Sequence, residues 1–273
     1  MYKDDTVFYP QDEMTTMLLP VTRGCSYNKC AFCSMYKDKT YCEISFSDIE
    51  LELLNGYLYT ERVFLTGADP LSIGFEKMGQ LLDMIYRYLP YCACISSYAS
   101  IKSIARYSIE ELSILHDKGL RLLYIGFETG MDNILDMMKK GHTVKEAIKQ
   151  ARKLNEANLA FNSIIMYGIA GKEGSIDNAI ATAKMINQFV TKKVITMSLT
   201  VFIGTELNDM VCRGDFVPPN RKERLLEIKT FLENLKPEHP MIFDTTHPTN
   251  IIRIKGTLLK EKVRLIREVT KSI

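Results

Sequence analysis

The sequence predicts an α/β protein in which parallel strands are covered by helices. Short β-rich runs alternate along the chain with longer amphipathic runs, which is typical of repeated strand–helix units. The length of 273 residues lies within the range of one α/β barrel, and a hydrophobic content of 46% allows a substantial core. The alternation alone leaves open whether the sheet is open or closed.

The runs place six strands and the helices between them. Strands are expected at 17–21, 62–66, 93–97, 120–127, 160–167 and 194–202. Helices are expected at 75–88, 108–118, 131–139, 144–157 and 175–189. An earlier helix is expected to start at Ser47, with leucines on its apolar face: Leu51, Leu53, Leu54 and Leu58. Farther on, 221–235 predicts a surface amphipathic helix, and the tail predicts a loop and then a basic helix from Lys260.

Composition excludes several functional classes. Lys and Arg number 35 against 33 Asp and Glu, so the net charge of +2 gives no electrostatic argument for nucleic acid or an anionic membrane. Seven cysteines are an odd number, and the chain opens without a basic and then apolar leader, so secretion is not expected. No apolar run approaches the roughly 18–20 residues that span a bilayer. We therefore expect a cytoplasmic protein.

Three cysteines, Cys25, Cys30 and Cys33, lie in a short segment rich in Gly, Ser, Asn and Lys. A closed zinc site takes four ligands, whereas three thiolates on a [4Fe–4S] cluster leave one iron open to a further ligand. The spacing alone leaves two alternatives: a zinc site completed by Cys42, or ordinary structural cysteines. Cys92 and Cys94 are expected to alternate along a strand, so a second cluster is not predicted.

The segment from Arg23 to Tyr36 resembles the cluster loop of the radical S-adenosylmethionine (SAM) superfamily. The resemblance implies that Cys25, Cys30 and Cys33 bind a [4Fe–4S] cluster whose fourth iron is chelated by SAM. The usual spacing is C-x-x-x-C-x-x-C, and this chain has one more residue in the first gap. Phe32 occupies the position of the ring that lies against the SAM adenine, and it also suits a core position.

Residues that directly follow the predicted strands are the next candidates, because parallel α/β proteins bind ligands at the carboxyl ends of their strands. Gly67 and Asp69 stand where the family holds the SAM amino group, although a plain turn explains the same residues. Ser97 has a hydroxyl that either reaches a ligand or caps a turn. Gly168 resembles the family's turn near the adenine, and Gly204 resembles the first residue of its Gly-Thr-Pro-Leu turn.

Glu128 lies in Gly-Phe-Glu-Thr-Gly, and Lys-Lys-Gly-His-Thr follows at 139–143. These motifs resemble the branch of coproporphyrinogen oxidase-like, Elongator-like and methylthiotransferase-like proteins, and they imply that Glu128 contacts SAM. The structural alternative is a salt bridge to a helix Arg.

Two further candidates lie beyond this motif. Arg152 corresponds to a family Arg that binds the SAM carboxylate, or it pairs with Glu156. His247 lies in a loop that resembles a closing segment of this branch and is either structural or active in substrate binding or proton transfer.

The resemblance implies a partial (β/α)6 TIM-like barrel with parallel strands, in a single domain of residues 1–273. Its core would cover about 17–210, and 211–273 would form a helical extension that closes the barrel. The implied function is reductive cleavage of SAM to a 5′-deoxyadenosyl radical that abstracts hydrogen from an unidentified substrate. The implied partner is a one-electron donor such as flavodoxin or ferredoxin. The competing hypothesis is a non-catalytic iron–sulfur or zinc-binding redox or regulatory protein.

Overall fold

The structure, a computed structural model, describes residues 6–273, which form two compact units. The first unit contains the chain up to Asn28 together with Tyr36–Ile125 and Lys153–Phe161. The second unit contains Lys29–Met35, Gly126–Arg152 and Asn162–Ile273.

The first unit is built on parallel strands. Met17 lies opposite Val63, Arg62 lies opposite Cys94, and Ile95 lies opposite Leu120, which gives the strand order β1-β4-β5-β6. The elements, with β6 continuing into the second unit, are β1 (Met17–Pro20), β2 (Thr22–Arg23), β3 (Cys42–Glu43), α1 (Phe46–Leu54), β4 (Arg62–Thr66), α2 (Phe75–Tyr88), β5 (Cys94–Ala99), α3 (Ile101–Ala105), α4 (Ile109–Asp117) and β6 (Leu120–Glu128).

Burial explains why the central strands of this unit were predictable. Val63, Phe64 and Leu65 of β4 are fully buried, as expected for a strand covered on both faces. The predicted start of α1 is wrong, because Ser45 and not Ser47 accepts the capping hydrogen bond from the Asp48 N–H.

The predicted apolar face of the first helix is also largely wrong. Leu51, Leu54 and Leu58 are exposed, and Ile49 and Leu53 are the residues that α1 buries.

The predicted alternation of Cys92 and Cys94 along one strand is also wrong. Cys92 lies before β5, and its thiol donates to the Cys94 carbonyl oxygen over 3.7 Å, so the two cysteines do not alternate along one strand.

The second unit continues the parallel pattern and ends with an antiparallel strand. Asn162 lies opposite Lys193, Lys193 lies opposite Ile242, and Lys255 lies opposite Asp244 in antiparallel pairing. The elements, of which α6 ends and β7 begins in the first unit, are α5 (Asp132–Met137), α6 (Val144–Glu156), β7 (Ala160–Tyr167), α7 (Ser175–Ile186), β8 (Lys193–Ser198), α8 (Glu206–Arg213), α9 (Arg221–Asn234), β9 (Ile242–Asp244), β10 (Lys255–Thr257) and α10 (Leu258–Thr270).

The end of the chain differs most from the prediction. The tail forms β9 and β10 where a loop was expected, because three-residue strands are too short to show a sequence period. Helix α9 was predicted to lie on the surface, but it packs against α7 and α10 and buries Leu225, Ile228, Phe231 and Leu232. Within residues 6–273, no helix is long and apolar enough to cross a membrane.

Candidate functional site

The first part of the cysteine loop is fixed by left-handed backbone and by hydrogen bonds. Gly24 has φ +71°, and a Cβ there would lie 2.9 Å from the Thr40 carbonyl oxygen. Asn28 has φ +45°, its amide group donates to the Tyr36 carbonyl oxygen over 2.8 Å, and its N–H donates to Cys25 Sγ over 3.3 Å. A backbone N–H directed at sulfur stabilises a thiolate and, where the thiolate binds an iron–sulfur cluster, changes the reduction potential of that cluster.

The second part of the loop is anchored within the second unit. The Ala31 N–H donates to the Met138 carbonyl oxygen, and the Ala31 carbonyl accepts from the Leu207 N–H, each over 2.9 Å. Ala31 is fully buried in an apolar cluster, and Phe32 packs half-buried against the same cluster. These bonds fix the backbone between Cys30 and Cys33.

None of the seven cysteines, all within the described residues, forms a disulfide, and Cys25, Cys30 and Cys33 are half-buried. Across residues 6–273, no group of three or more His, Cys, Asp or Glu side chains has the geometry of a site for one metal ion. A [4Fe–4S] cluster places each thiolate on a different iron, so it does not require such a group.

Glu128 ends β6 in an unusual conformation and forms a buried ion pair. It has φ +63°, which L-residues adopt only when their surroundings hold them there. Its Oε1 accepts from Lys140 Nζ over 2.7 Å, while its Oε2 is buried and accepts no hydrogen bond within the described chain. The predicted structural alternative of a helix Arg is therefore wrong, because the partner is Lys140.

The buried oxygen is an acceptor available to a ligand, and an unsatisfied buried acceptor costs about 1–3 kcal/mol. A ribose hydroxyl is a suitable donor for it. Gly126 leaves room for the pair, since a Cβ there would lie 2.5 Å from Glu128 Oε1 and 3.0 Å from Lys140 Nζ.

Lys140 connects this carboxylate with the cysteine loop. Its Nζ lies 5.9 Å from the centre of the Phe32 ring. Burial disfavours the ammonium form, but Glu128 and the nearby sulfurs of Cys30 and Cys33 together raise the pKa of Lys140 above its usual value. The Lys-Lys-Gly-His-Thr motif indicates the family branch but predicts no separate role for Lys140.

In the first unit, Gly67 approaches β2 closely. It has φ +125°, and a Cβ would lie 2.1 Å from Thr22 Oγ1. Thr22 is buried, and its hydroxyl has no hydrogen-bond partner within residues 6–273. A side chain at position 67 is excluded, which leaves the backbone as the group that can face a ligand.

Asp69 and Ser97 have protein partners that explain them without a ligand. Asp69 accepts hydrogen bonds from the Ser100 hydroxyl over 2.6 Å and from the Ser103 hydroxyl over 2.7 Å, at the start of α3. The Ser97 hydroxyl donates to the Tyr98 carbonyl oxygen over 2.8 Å. For both residues the structural alternative is favoured.

Arg152 and Gly204 are exposed. Arg152 Nε donates to the Gln188 carbonyl oxygen over 3.1 Å, so the pairing with Glu156 that the sequence suggested is replaced by this contact. Gly204 has φ +81° and open space around its Cα, and it precedes Thr205, which caps α8.

Gly168 and His247 both lie in turns that follow strands of the second unit. Gly168 has φ +79°, and its N–H donates to Glu227 Oε2 over 2.8 Å. His247 Nδ1 lies 2.8 Å from the Thr249 hydroxyl, whose oxygen accepts from the Ser198 N–H at the end of β8. Burial lowers the pKa of His247, which favours the neutral ring.

Of the predicted residues in the second unit, Phe32 and Glu128 come together around Lys140, beside Cys30 and Cys33. Gly168 belongs to the same unit, and the side chain of Glu227 holds its N–H. Arg152 lies outside this group, with Gln188 as its partner. Cys25, Gly67, Asp69 and Ser97 belong to the first unit.

Comparison with solved structures supports the fold class. Methylornithine synthase (PylB) aligns with a TM-score of 0.60 at 16% identity, over 83% of this chain and 63% of that chain. This likeness confirms the predicted partial TIM-like barrel with mostly parallel strands.

Curated relatives agree with the branch that the motifs indicated. The heme chaperone HemW of Bacillus subtilis is 26% identical over 185 residues, which are 64% of this chain and 48% of the relative. The tRNA uridine(34) acetyltransferase of Methanocaldococcus jannaschii is 28% identical over 130 residues, 47% of this chain and 24% of the relative. The chain thus spans about half the length of the first relative and about a quarter of the second.

A family model described as the radical SAM superfamily matches residues 19–203. The match covers more than half of the chain and includes the three cysteines, Glu128 and Lys140. The chain therefore belongs to the radical SAM superfamily.

Proposed function

We propose that this protein binds a [4Fe–4S] cluster through Cys25, Cys30 and Cys33 and holds SAM against Glu128. Enzymes of this superfamily use both cofactors. The observation that carries the proposal is the buried, unpartnered Glu128 Oε2 beside the Lys140 ammonium, whose charge interacts with the Cys30 and Cys33 sulfurs and which lies 5.9 Å from the centre of the Phe32 ring. An acceptor for a sugar hydroxyl and a positive charge beside two thiols fit SAM on a cluster.

Once reduced by a one-electron donor such as flavodoxin or ferredoxin, the cluster would supply the electron that cleaves SAM into methionine and the 5′-deoxyadenosyl radical that takes a hydrogen atom from substrate. Glu128 Oε2 accepts from a ribose hydroxyl and so orients the sugar. Lys140 fixes Glu128 through Oε1 and offsets part of the negative charge that three thiolates bring. Phe32 excludes water beside the loop.

The backbone supports both cofactors in this proposal. The Asn28 N–H stabilises the thiolate of Cys25. Gly67 presents its backbone to SAM, since no side chain fits there. Gly168 presents its turn to the adenine. Four predicted residues contribute less to SAM binding. The side chains of Asp69, Ser97 and Arg152 already form hydrogen bonds within the protein, and Gly204 is exposed.

The relatives are a heme chaperone and a tRNA acetyltransferase. We propose neither activity for this chain, because the matches cover 48% of the first relative and 24% of the second. A net charge of +2 also gives no electrostatic preference for tRNA. His247, in the turn that follows β9, is a candidate for substrate binding or proton transfer. We further propose one domain with a core of about 17–210, in the cytoplasm, where cysteines that form no disulfide, such as these seven, persist.

Anaerobic reconstitution tests the cluster. We expect about four iron and four sulfide per chain, and loss of the cluster in Cys30→Ser. Cys42→Ser is the matched control, because Cys42 is exposed and would be the fourth ligand of the zinc alternative. Retention of one zinc per chain, lost in Cys42→Ser, would contradict the proposal and support the non-catalytic alternative.

A further inference from the structure

Helix α9 carries a buried carboxylate that contacts the turn directly after β7. Glu227 is fully buried. Its Oε2 accepts from the Gly168 N–H over 2.8 Å, and its Oε1 accepts from Asn178 Nδ2 of α7 over 2.6 Å. Both oxygens therefore accept hydrogen bonds from neutral N–H groups.

This carboxylate fixes the direction of a longer hydrogen-bond chain. A carboxylate only accepts, so Asn178 must direct its NH2 group at Glu227 and its Oδ1 the other way. Asn178 Oδ1 accepts from the Thr129 hydroxyl over 2.5 Å and from the Thr182 hydroxyl over 3.3 Å. Thr129 Oγ1 in turn accepts from the Met131 N–H over 3.1 Å, and Thr182 Oγ1 accepts from the Gly130 N–H over 2.9 Å.

At the end of this series of hydrogen bonds that is remote from Glu227 lie the residues that directly follow Glu128. Glu128 has φ +63°, a conformation that persists only when neighbouring contacts determine it. The hydrogen bonds to Thr129, Gly130 and Met131 supply such contacts. At the other end, Glu227 itself accepts from Gly168, whose φ is +79°.

We propose that Glu227 is a positioning residue for SAM binding, because it fixes the Gly168 turn directly and the Glu128 turn through Asn178 and Thr129. This inference rests on the proposed function, in which both turns face SAM. It adds that α9, beyond the segment that the family model matches, determines the shape of that site.

A swap of donor and acceptor tests the inference. Glu227→Gln has one accepting and one donating group, so it cannot accept from both Gly168 and Asn178. Asn178→Asp puts two carboxylates against each other. In the double variant, the glutamine introduced at position 227 accepts from Gly168 and donates to the aspartate introduced at position 178, whose other oxygen accepts from Thr129 and Thr182. The double variant therefore restores every hydrogen bond.

The measurements are the dissociation constant of SAM for the reconstituted holoenzyme and the hydrogen exchange of amides at 128–131 and 167–171. Burial raises the pKa of Glu227 to about 7, so pH 8 keeps the carboxylate ionised. We expect each single variant to weaken SAM binding about tenfold and to speed exchange in both segments. The double variant should return to within about twofold of wild type, with iron content unchanged throughout.

Glu233→Gln is the control, since Glu233 is an exposed residue of the same helix that pairs with Lys229. It should change neither measurement. Wild-type SAM affinity and exchange in Glu227→Gln, or a double variant no better than the singles, would overturn the inference alone. A wild-type holoenzyme that does not bind SAM would overturn the proposed function and this inference with it.

Discussion

Glu128 and Lys140 form a buried ion pair in which only one carboxylate oxygen is used, with 2.7 Å between Oε1 and Nζ. The pair lies at the end of β6, and its lysine extends to the second half of the cysteine loop. This arrangement makes Lys140 both a structural partner of Glu128 and a positive charge beside Cys30 and Cys33.

Replacement of Lys140 by Met should damage the site and the fold together. The Glu128 carboxylate would remain buried without its counter-charge, which costs about 3 kcal/mol of unfolding free energy. SAM affinity should fall at least tenfold. Chemical unfolding and equilibrium SAM binding measure the two effects.

Lys139→Met is the matched control for that variant. Lys139 pairs with Glu206, and both side chains are about half exposed. Its replacement should change stability by less than about 1 kcal/mol. Equal losses in the two variants would show that the buried pair has no special role.

Gly126→Ala should displace the ion pair while the fold is retained. The new Cβ would lie 2.5 Å from Glu128 Oε1, and that flexible side chain must move. Overpacking of this kind costs about 1–3 kcal/mol, and SAM binding should be lost with the carboxylate position. Gly79→Ala, in α2 with open space around its Cα, should instead stabilise the protein by about 0.5–1 kcal/mol. Unchanged SAM affinity in Gly126→Ala would argue against Glu128 as a SAM ligand.

Glu227 predicts a pH dependence of stability. Burial raises its pKa to about 7 in the fold, against 4.5 ordinarily, although hydrogen bonds from Asn178 and Gly168 oppose this rise. Arg224 on the same helix and Tyr167 of β7 are the ionisable groups that interact with it. The native state therefore binds the proton more tightly than the unfolded state does.

The resulting contribution to stability is fully present below about pH 4.5 and is lost as the pH rises through about 7. Its size is on the order of 3 kcal/mol. Urea unfolding from pH 5 to pH 8 should show a downward slope for wild type that Glu227→Gln lacks. Parallel slopes for the two proteins would contradict the assignment.

Glu13 should stabilise the first unit. Its fully buried Oε1 accepts from Arg62 over 3.0 Å and from the hydroxyls of Ser96 and Tyr124, each over 2.9 Å. Glu13→Gln weakens all three bonds, so unfolding free energy should fall by about 1–3 kcal/mol. Glu43→Gln, which removes a partly exposed pair with Lys77, should have little effect. A smaller loss for Glu13→Gln than for Glu43→Gln would contradict this role.

The sequence was sufficient for elements whose burial produces a continuous or periodic pattern. The predicted strands 62–66 and 160–167 coincide with β4 and β7, because buried apolar runs are visible locally. The start of α4 was likewise predictable from Ser108, whose side chain caps the helix.

Buried polar residues were not predictable in the same way. Glu13 lies in a polar segment, and Glu227 lies in a helix whose charges suggested an exposed surface. Each is buried because its partners come from distant strands and helices, as Ser96 and Tyr124 do for Glu13. A single sequence shows such a carboxylate but not the donors that allow its burial. For the same reason the sequence indicated Glu128 and left Lys140 without a role.

The most direct test of the central claim is the yield of 5′-deoxyadenosine from reconstituted protein, SAM and a strong reductant under anaerobic conditions. We predict that wild type and Cys42→Ser release 5′-deoxyadenosine, and that Cys30→Ser and Lys140→Met release little or none. A wild-type protein with a full cluster that leaves SAM intact would contradict the account.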